Sequence, residues 1–135
     1  MVSELDIVLR LVLALILGGS LGLERELSKK SFGLRTSAIL STATATFALL
    51  MVDFGQEDFA RLLPAIITGV GFLGAGVIMK SSDGRHVQGM TTAATLWAIV
   101  GIGYAVGSGY IFIPVVATIL VFGTLMLKRR FWQLE

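Results

Sequence analysis

Leu62–Met79 reads LLPAIITGVGFLGAGVIM, eighteen residues with no charge and four glycines, Gly69, Gly71, Gly74 and Gly76. In an exposed helix in water each glycine costs roughly 1 kcal/mol relative to alanine. In lipid the balance changes, because small residues let helix backbones approach closely and pack by dispersion. The stretch predicts a membrane helix whose glycines serve for packing against protein, or for breaking the helix as a hinge.

The flanking sequence extends this reading. The chain has 135 residues, 55% of them hydrophobic and 15% charged, and its mean hydropathy is +0.85. A soluble domain of this length needs more charged surface. A helix needs about 20 residues to cross roughly 30 Å of hydrocarbon. Five segments qualify, at about Asp6–Leu23, Leu34–Val52, Leu62–Met79, Met90–Val106 and Tyr110–Leu127. The expected fold is all-α: one polytopic transmembrane domain over residues 1–135, its five helices packed through small-residue faces, with no soluble C-terminal domain. Gly107-Ser108-Gly109 predicts a tight turn between the last two spans. The first span begins with Glu4 and Asp6 rather than a basic segment and has no small-x-small cleavage site, so it is not read as a signal peptide.

Lysine and arginine set the orientation. Nine of them (Arg25, Lys29, Lys30, Arg35, Lys80, Arg85, Lys128, Arg129 and Arg130) fall on one side of the five-span arrangement. Only Arg10 and Arg61 fall on the other, beside Glu4, Asp6, Asp53, Glu57 and Asp58. The N-terminus is expected outside and the C-terminus in the cytoplasm.

Within the spans, Gly18-x-x-x-Gly22 and Gly103-x-x-x-Gly107 have the spacing that brings helices together. Ser37, Ser41, Thr42, Thr44 and Thr46 lie on the second span, where hydroxyls bond their own helix carbonyls or a neighbour. Carboxylates are absent from Leu27–Val52, Phe59–Ser82 and Gly84–Leu134. Mg²⁺ is usually held through carboxylates and retained waters, and proton relays need ionisable groups. A mid-membrane path for either would need backbone carbonyls at an unwound glycine segment. With no cysteine, thiolate chemistry and cysteine-bound metals are excluded. GVGFLGAG lacks the flanking strand and the lysine of a phosphate loop. No nucleophile, metal-ligand or cofactor pattern appears, so the chain is not expected to be an enzyme. The net charge of +2 gives no reason to expect a nucleic acid partner.

Charges cluster where the first span ends and the second begins, in Gly22-Leu23-Glu24-Arg25-Glu26 and Gly33-Leu34-Arg35-Thr36. Glu24 and Arg35 are expected to pair across this hairpin, as an interfacial anchor or as a docking surface or substrate mouth. His86, the one histidine, is expected to be a solvated loop residue. Trp97 is read as a packing residue deep in the fourth span, and Phe131-Trp132 as an interfacial anchor. Pro64 and Pro114 stand in first turns, where proline is tolerated.

Four blocks carry a resemblance: GLERE at Gly22–Glu26, GLRT at Gly33–Thr36, GVGFLGAGVI at Gly69–Ile78 and GMTTAATLW at Gly89–Trp97. In this order and spacing they resemble the MgtC/SapB family of bacterial inner-membrane proteins. The resemblance implies a five-helix membrane domain and a link to survival at low magnesium and to virulence. It also implies inhibition of the F-type ATP synthase through its membrane sector, and a short, membrane-only member of the family. It further marks Glu24, Arg25, Arg35 and Thr36 as a cytoplasmic mouth, Gly69, Gly71, Gly74 and Gly76 as packing or hinge positions, and Gly89, Thr91, Thr92 and Trp97 as the span-four motif. The expected function is regulatory contact with a membrane partner, in a chain that itself forms a homodimer. The alternative is a small oligomeric Mg²⁺-related transporter or channel.

Overall fold

The computed structural model describes residues 2–53, 56–80 and 87–131. Five helices follow in order: α1 (Glu4–Leu27), α2 (Leu34–Asp53), α3 (Gln56–Val77), α4 (Met90–Gly107) and α5 (Phe112–Phe131). Between α3 and α4 run two short strands, β1 (Met79–Lys80) and β2 (Val87–Gln88), paired antiparallel with Met79 opposite Gln88. Among the described residues α1, α2 and α4 are long and apolar enough to cross a membrane, and Leu63–Val77 and Phe112–Leu127 are shorter apolar helices. His86 and Trp132 lie outside the described residues, as do the side chains of Arg61 and Lys128–Phe131.

Helix α4 is the hub. It packs against α1, α2, α3 and α5, whereas α3 touches α2 only slightly. The closest packing stacks three helices through small residues. A Cβ added at Gly18 would strike Ser41, and one added at Gly22 would strike Ser37. From α4, a Cβ at Gly103 would strike the Ser41 backbone and one at Gly107 the Ala45 backbone. The two glycine motifs, on α1 and α4, thus close on one α2 row, Ser37, Ser41 and Ala45, all fully buried. Large apolar residues point the other way: Leu5, Leu9, Val12 and Ile16 of α1 are all more than 45% exposed. Glycine inside and leucine outside inverts the water-soluble pattern and fits a helix surrounded by lipid.

The α2 hydroxyls mostly satisfy themselves. Ser37 donates to the Gly33 carbonyl at 2.9 Å, Thr42 to Ala38 at 2.8 Å, Thr44 to Leu40 at 2.8 Å and Thr46 to Thr42 at 2.9 Å. Larger side chains fill the remaining space, with Leu21, Phe32, Leu96, Ile99, Ile102 and Leu125 in one cluster.

Helix ends correct several expected boundaries. α1 begins earlier than Asp6 because Ser3 caps it, accepting from the Asp6 N–H at 3.2 Å. The third helix ends at Val77 rather than Met79, since Met79 and Lys80 enter the strand pair. The fifth begins at Phe112 rather than Tyr110 because the α4 cap uses Gly109 and Tyr110. There Gly109, at φ 93°, is the left-handed residue, and Tyr110 N–H donates to Ala105 O at 3.0 Å. α1 ends in the same motif with a lysine in the glycine position. Lys29 has φ 54°, and Lys30 N–H donates to Arg25 O at 3.0 Å.

At the far end of the bundle Arg10 pairs with Asp6 at 2.6 Å and donates to the last α4 carbonyl, Gly107 O, at 3.1 Å. A cation at a helix C-terminus complements its dipole.

Candidate functional site

The GLERE block closes α1, and the rotation of that helix decides where each charge points. Glu24 and Arg25 turn inward and are 5% and 4% exposed. Glu24 Oε1 accepts from Ser28 Oγ at 2.7 Å, and Glu24 Oε2 lies 3.7 Å from Arg25 Nε. That separation is too long for a hydrogen bond, and both atoms lack a hydrogen-bond partner among the described residues. Glu26 points instead to α2, where its Oε2 accepts from the Leu34 N–H at 2.8 Å and caps the helix.

The expected Glu24–Arg35 pair does not form. Arg35 and Thr36 are exposed on the first turn of α2, while Glu24 is engaged by Ser28 and Arg25. The carboxylate that joins the two helices is Glu26, two residues further along α1. Two helical residues separate by about 200°, so the inward position and the α2-facing position cannot be the same residue.

The β1–β2 ribbon brings the ends of α1, α3 and α4 around a cavity of about 720 Å³. Arg25 lines it from α1, Lys29 and Lys30 from the turn that follows, Lys80 from β1, and Gly89, Thr91 and Thr92 from the start of α4. No carboxylate stands among its described lining residues. Gly89 is the N-cap of α4, with φ 92° and no side-chain cap hydrogen bond. Its glycine is obligatory twice over: the backbone is left-handed, and a Cβ would strike the Val77 carbonyl. The first N–H groups of α4 therefore have no side-chain acceptor. Thr92 is buried and Thr91 exposed.

The span-three glycines divide. α3 is unbroken from Gln56 to Val77. A Cβ at Gly74 would touch Ala93 of α4 at 3.6 Å, an ordinary contact, but one at Gly69, Gly71 or Gly76 would meet nothing within 4 Å. Val70 is buried on the α4 side, and Phe72 on the outer side is 81% exposed. Trp97 is 46% exposed on α4, so it faces outward rather than packing in the core. Among the described residues no group of histidine and carboxylate side chains could hold a metal ion.

Lys29, Lys30 and Lys80, which the charge pattern expects on one side, line one cavity, a site that pattern does not reveal. Ser28 and Glu26 had no assigned role. The usable signal was their shared side of the membrane, which brings residues 25–31, 77–80 and 87–92 to one level.

Glycine-packed apolar helices, leucines turned outward and charges gathered at the helix ends define a small polytopic helical membrane protein. Its family follows from sequence: the MgtC family model matches residues 11–134, and the chain belongs to that family. It is 38% identical over 136 residues to an uncharacterized Haemophilus influenzae protein, covering 93% of this chain and 57% of that protein. It is 39% identical over 123 residues to protein MgtC of Salmonella typhimurium, covering 91% and 52% of the two chains. It is 37% identical over 121 residues to protein MgtC of Brucella abortus, covering 89% and 50%. The chain thus spans about half the length of these relatives. No solved structure matches it.

Proposed function

We propose that this chain is a non-enzymatic regulator that spans the bacterial inner membrane five times and acts by helix–helix contact with another membrane protein. The open face of α3 is the observation that carries this reading. Gly69, Phe72 and Gly76 recur at helical spacing on the side away from α4, and a Cβ at either glycine would meet nothing within 4 Å among the described residues. A face so bare of side chains lets a second backbone approach closely. By family resemblance the partner is the membrane sector of the F-type ATP synthase, with adaptation to magnesium limitation as the setting. A second copy of this chain, giving a homodimer, is the other occupant considered. The charge distribution of the loops supports an outer N-terminus and a cytoplasmic C-terminus.

The transport alternative requires an unwound segment or acidic ligands, and α3 is continuous. The test is co-purification from cross-linked inner membranes. The proposal expects the wild type to retain a defined membrane partner, and Gly69→Leu or Gly76→Leu to lose it while melting no lower than the wild type. Saturable Mg²⁺ flux through the purified chain in liposomes would overturn the proposal in favour of transport.

A further inference from the structure

We infer that the cavity between the ends of α1, α3 and α4 is a binding site for a phosphate group, with an anionic lipid as its carrier. Four cationic side chains, Arg25, Lys29, Lys30 and Lys80, line it. The start of α4 adds backbone N–H groups that no side chain caps, and helix N-termini attract anions. An independent feature points the same way. Arg25 is 4% exposed and lines this wall, yet its buried Nε has no hydrogen-bond partner among the described residues. Its charge partner, Glu24, lies at 3.7 Å with one carboxylate oxygen already taken by Ser28. A buried polar atom without such a partner is rare, and the planar guanidinium suits a phosphate.

The rim identifies the carrier. Met79, Val87 and Met90, all lining residues, are 67%, 56% and 61% exposed. A basic recess beside exposed apolar side chains at a membrane surface fits a headgroup phosphate with its acyl chains alongside. Such a site would tie the ends of α1, α3 and α4 together without any change in the glycine-packed core. It does not depend on the partner proposed above.

The experiment measures binding of short-chain phosphatidylglycerol, short-chain phosphatidylcholine and inorganic phosphate to the purified full chain in neutral detergent. Phosphatidylglycerol should bind saturably and more tightly than phosphatidylcholine. Lys30→Ala and Lys80→Ala, at exposed positions, should each weaken it about fivefold, as expected for one basic side chain near a membrane surface. Arg35→Ala, at the same end but outside the cavity, should leave it unchanged. Thermal melts establish that each variant is folded. Displacement of the lipid by millimolar inorganic phosphate supports the phosphate site with free phosphate as its occupant. Saturable lipid binding without displacement supports the lipid. Equal binding of the zwitterionic phosphatidylcholine, equal weakening by Arg35→Ala, or no saturable binding of either phosphatidylglycerol or inorganic phosphate would overturn the inference.

Discussion

Gly103→Ala should weaken the fold, whereas Gly101→Ala, two residues away on the same helix, should not. The three atoms nearest a methyl group at 103 are all α2 backbone, Ser41 C at 2.9 Å, Ser41 Cα at 3.0 Å and the Ser41 carbonyl oxygen. Carbon atoms rest at about 3.5–4.0 Å, so α2 and α4 would have to part by on the order of 1 Å. Overpacking of this kind costs about 1–3 kcal/mol. At Gly101 the methyl meets nothing within 4 Å. There alanine gains up to roughly 1 kcal/mol of helix propensity on the aqueous scale. The two variants should therefore differ by about 2 kcal/mol, a roughly thirtyfold difference in the folded-to-unfolded ratio. Reversible unfolding in mixed micelles, followed by circular dichroism during titration with a denaturing detergent, measures this. A second comparison sharpens it. Gly18→Ala strikes the Ser41 side chain, so Ser41→Gly should partly rescue it, but Ser41→Gly should not rescue Gly103→Ala. Equal stability of the 101 and 103 variants, within about 0.5 kcal/mol, would refute the stacked-glycine account.

Other outcomes follow from the helix ends and the charges. Glu26→Ala should cost about 1 kcal/mol by removing the acceptor for the Leu34 N–H, measured by the same titration. Lys29→Gly should stabilise the chain by about 1 kcal/mol, because φ 54° suits glycine. It should also weaken phosphatidylglycerol binding by deleting a cavity cation. Arg10→Met should lose about 1 kcal/mol, with faster amide exchange at the α4–α5 turn, since it removes the contact to Gly107 O. Reporter fusions at Gln56 and Gly84 should give opposite signals if the charge-based orientation holds.

Much of the fold was legible because four-residue spacing places glycines on one helix face whatever lies opposite. Gly18, Gly22, Gly103 and Gly107 were visible as contact positions for that reason. That both motifs close on the same α2 row was not visible, since it depends on three helices meeting. The site was harder to read. Glu24 and Glu26 stand in the same five-residue block, and only the rotation of α1 decides which turns inward and which reaches Leu34. Lys29 holds a left-handed backbone position that glycine usually marks, so its role as a helix cap was hidden. The two-residue strands are too short to show a period of two. They nevertheless carry Lys80 to the cavity that Lys29 and Lys30 reach from the turn after α1. Trp97 reads as core by its depth in the span, yet it lies on the outward side of α4.

Site-specific photocross-linking in living cells tests the central claim most directly, with the probe in place of Phe72 and, as a control, of Ile16 on the leucine face of α1. The account expects a discrete protein adduct at position 72, identified as an ATP synthase membrane subunit or a second copy of this chain, lost with Gly69→Leu, and lipid adducts alone at position 16. Lipid adducts alone at both positions would contradict it.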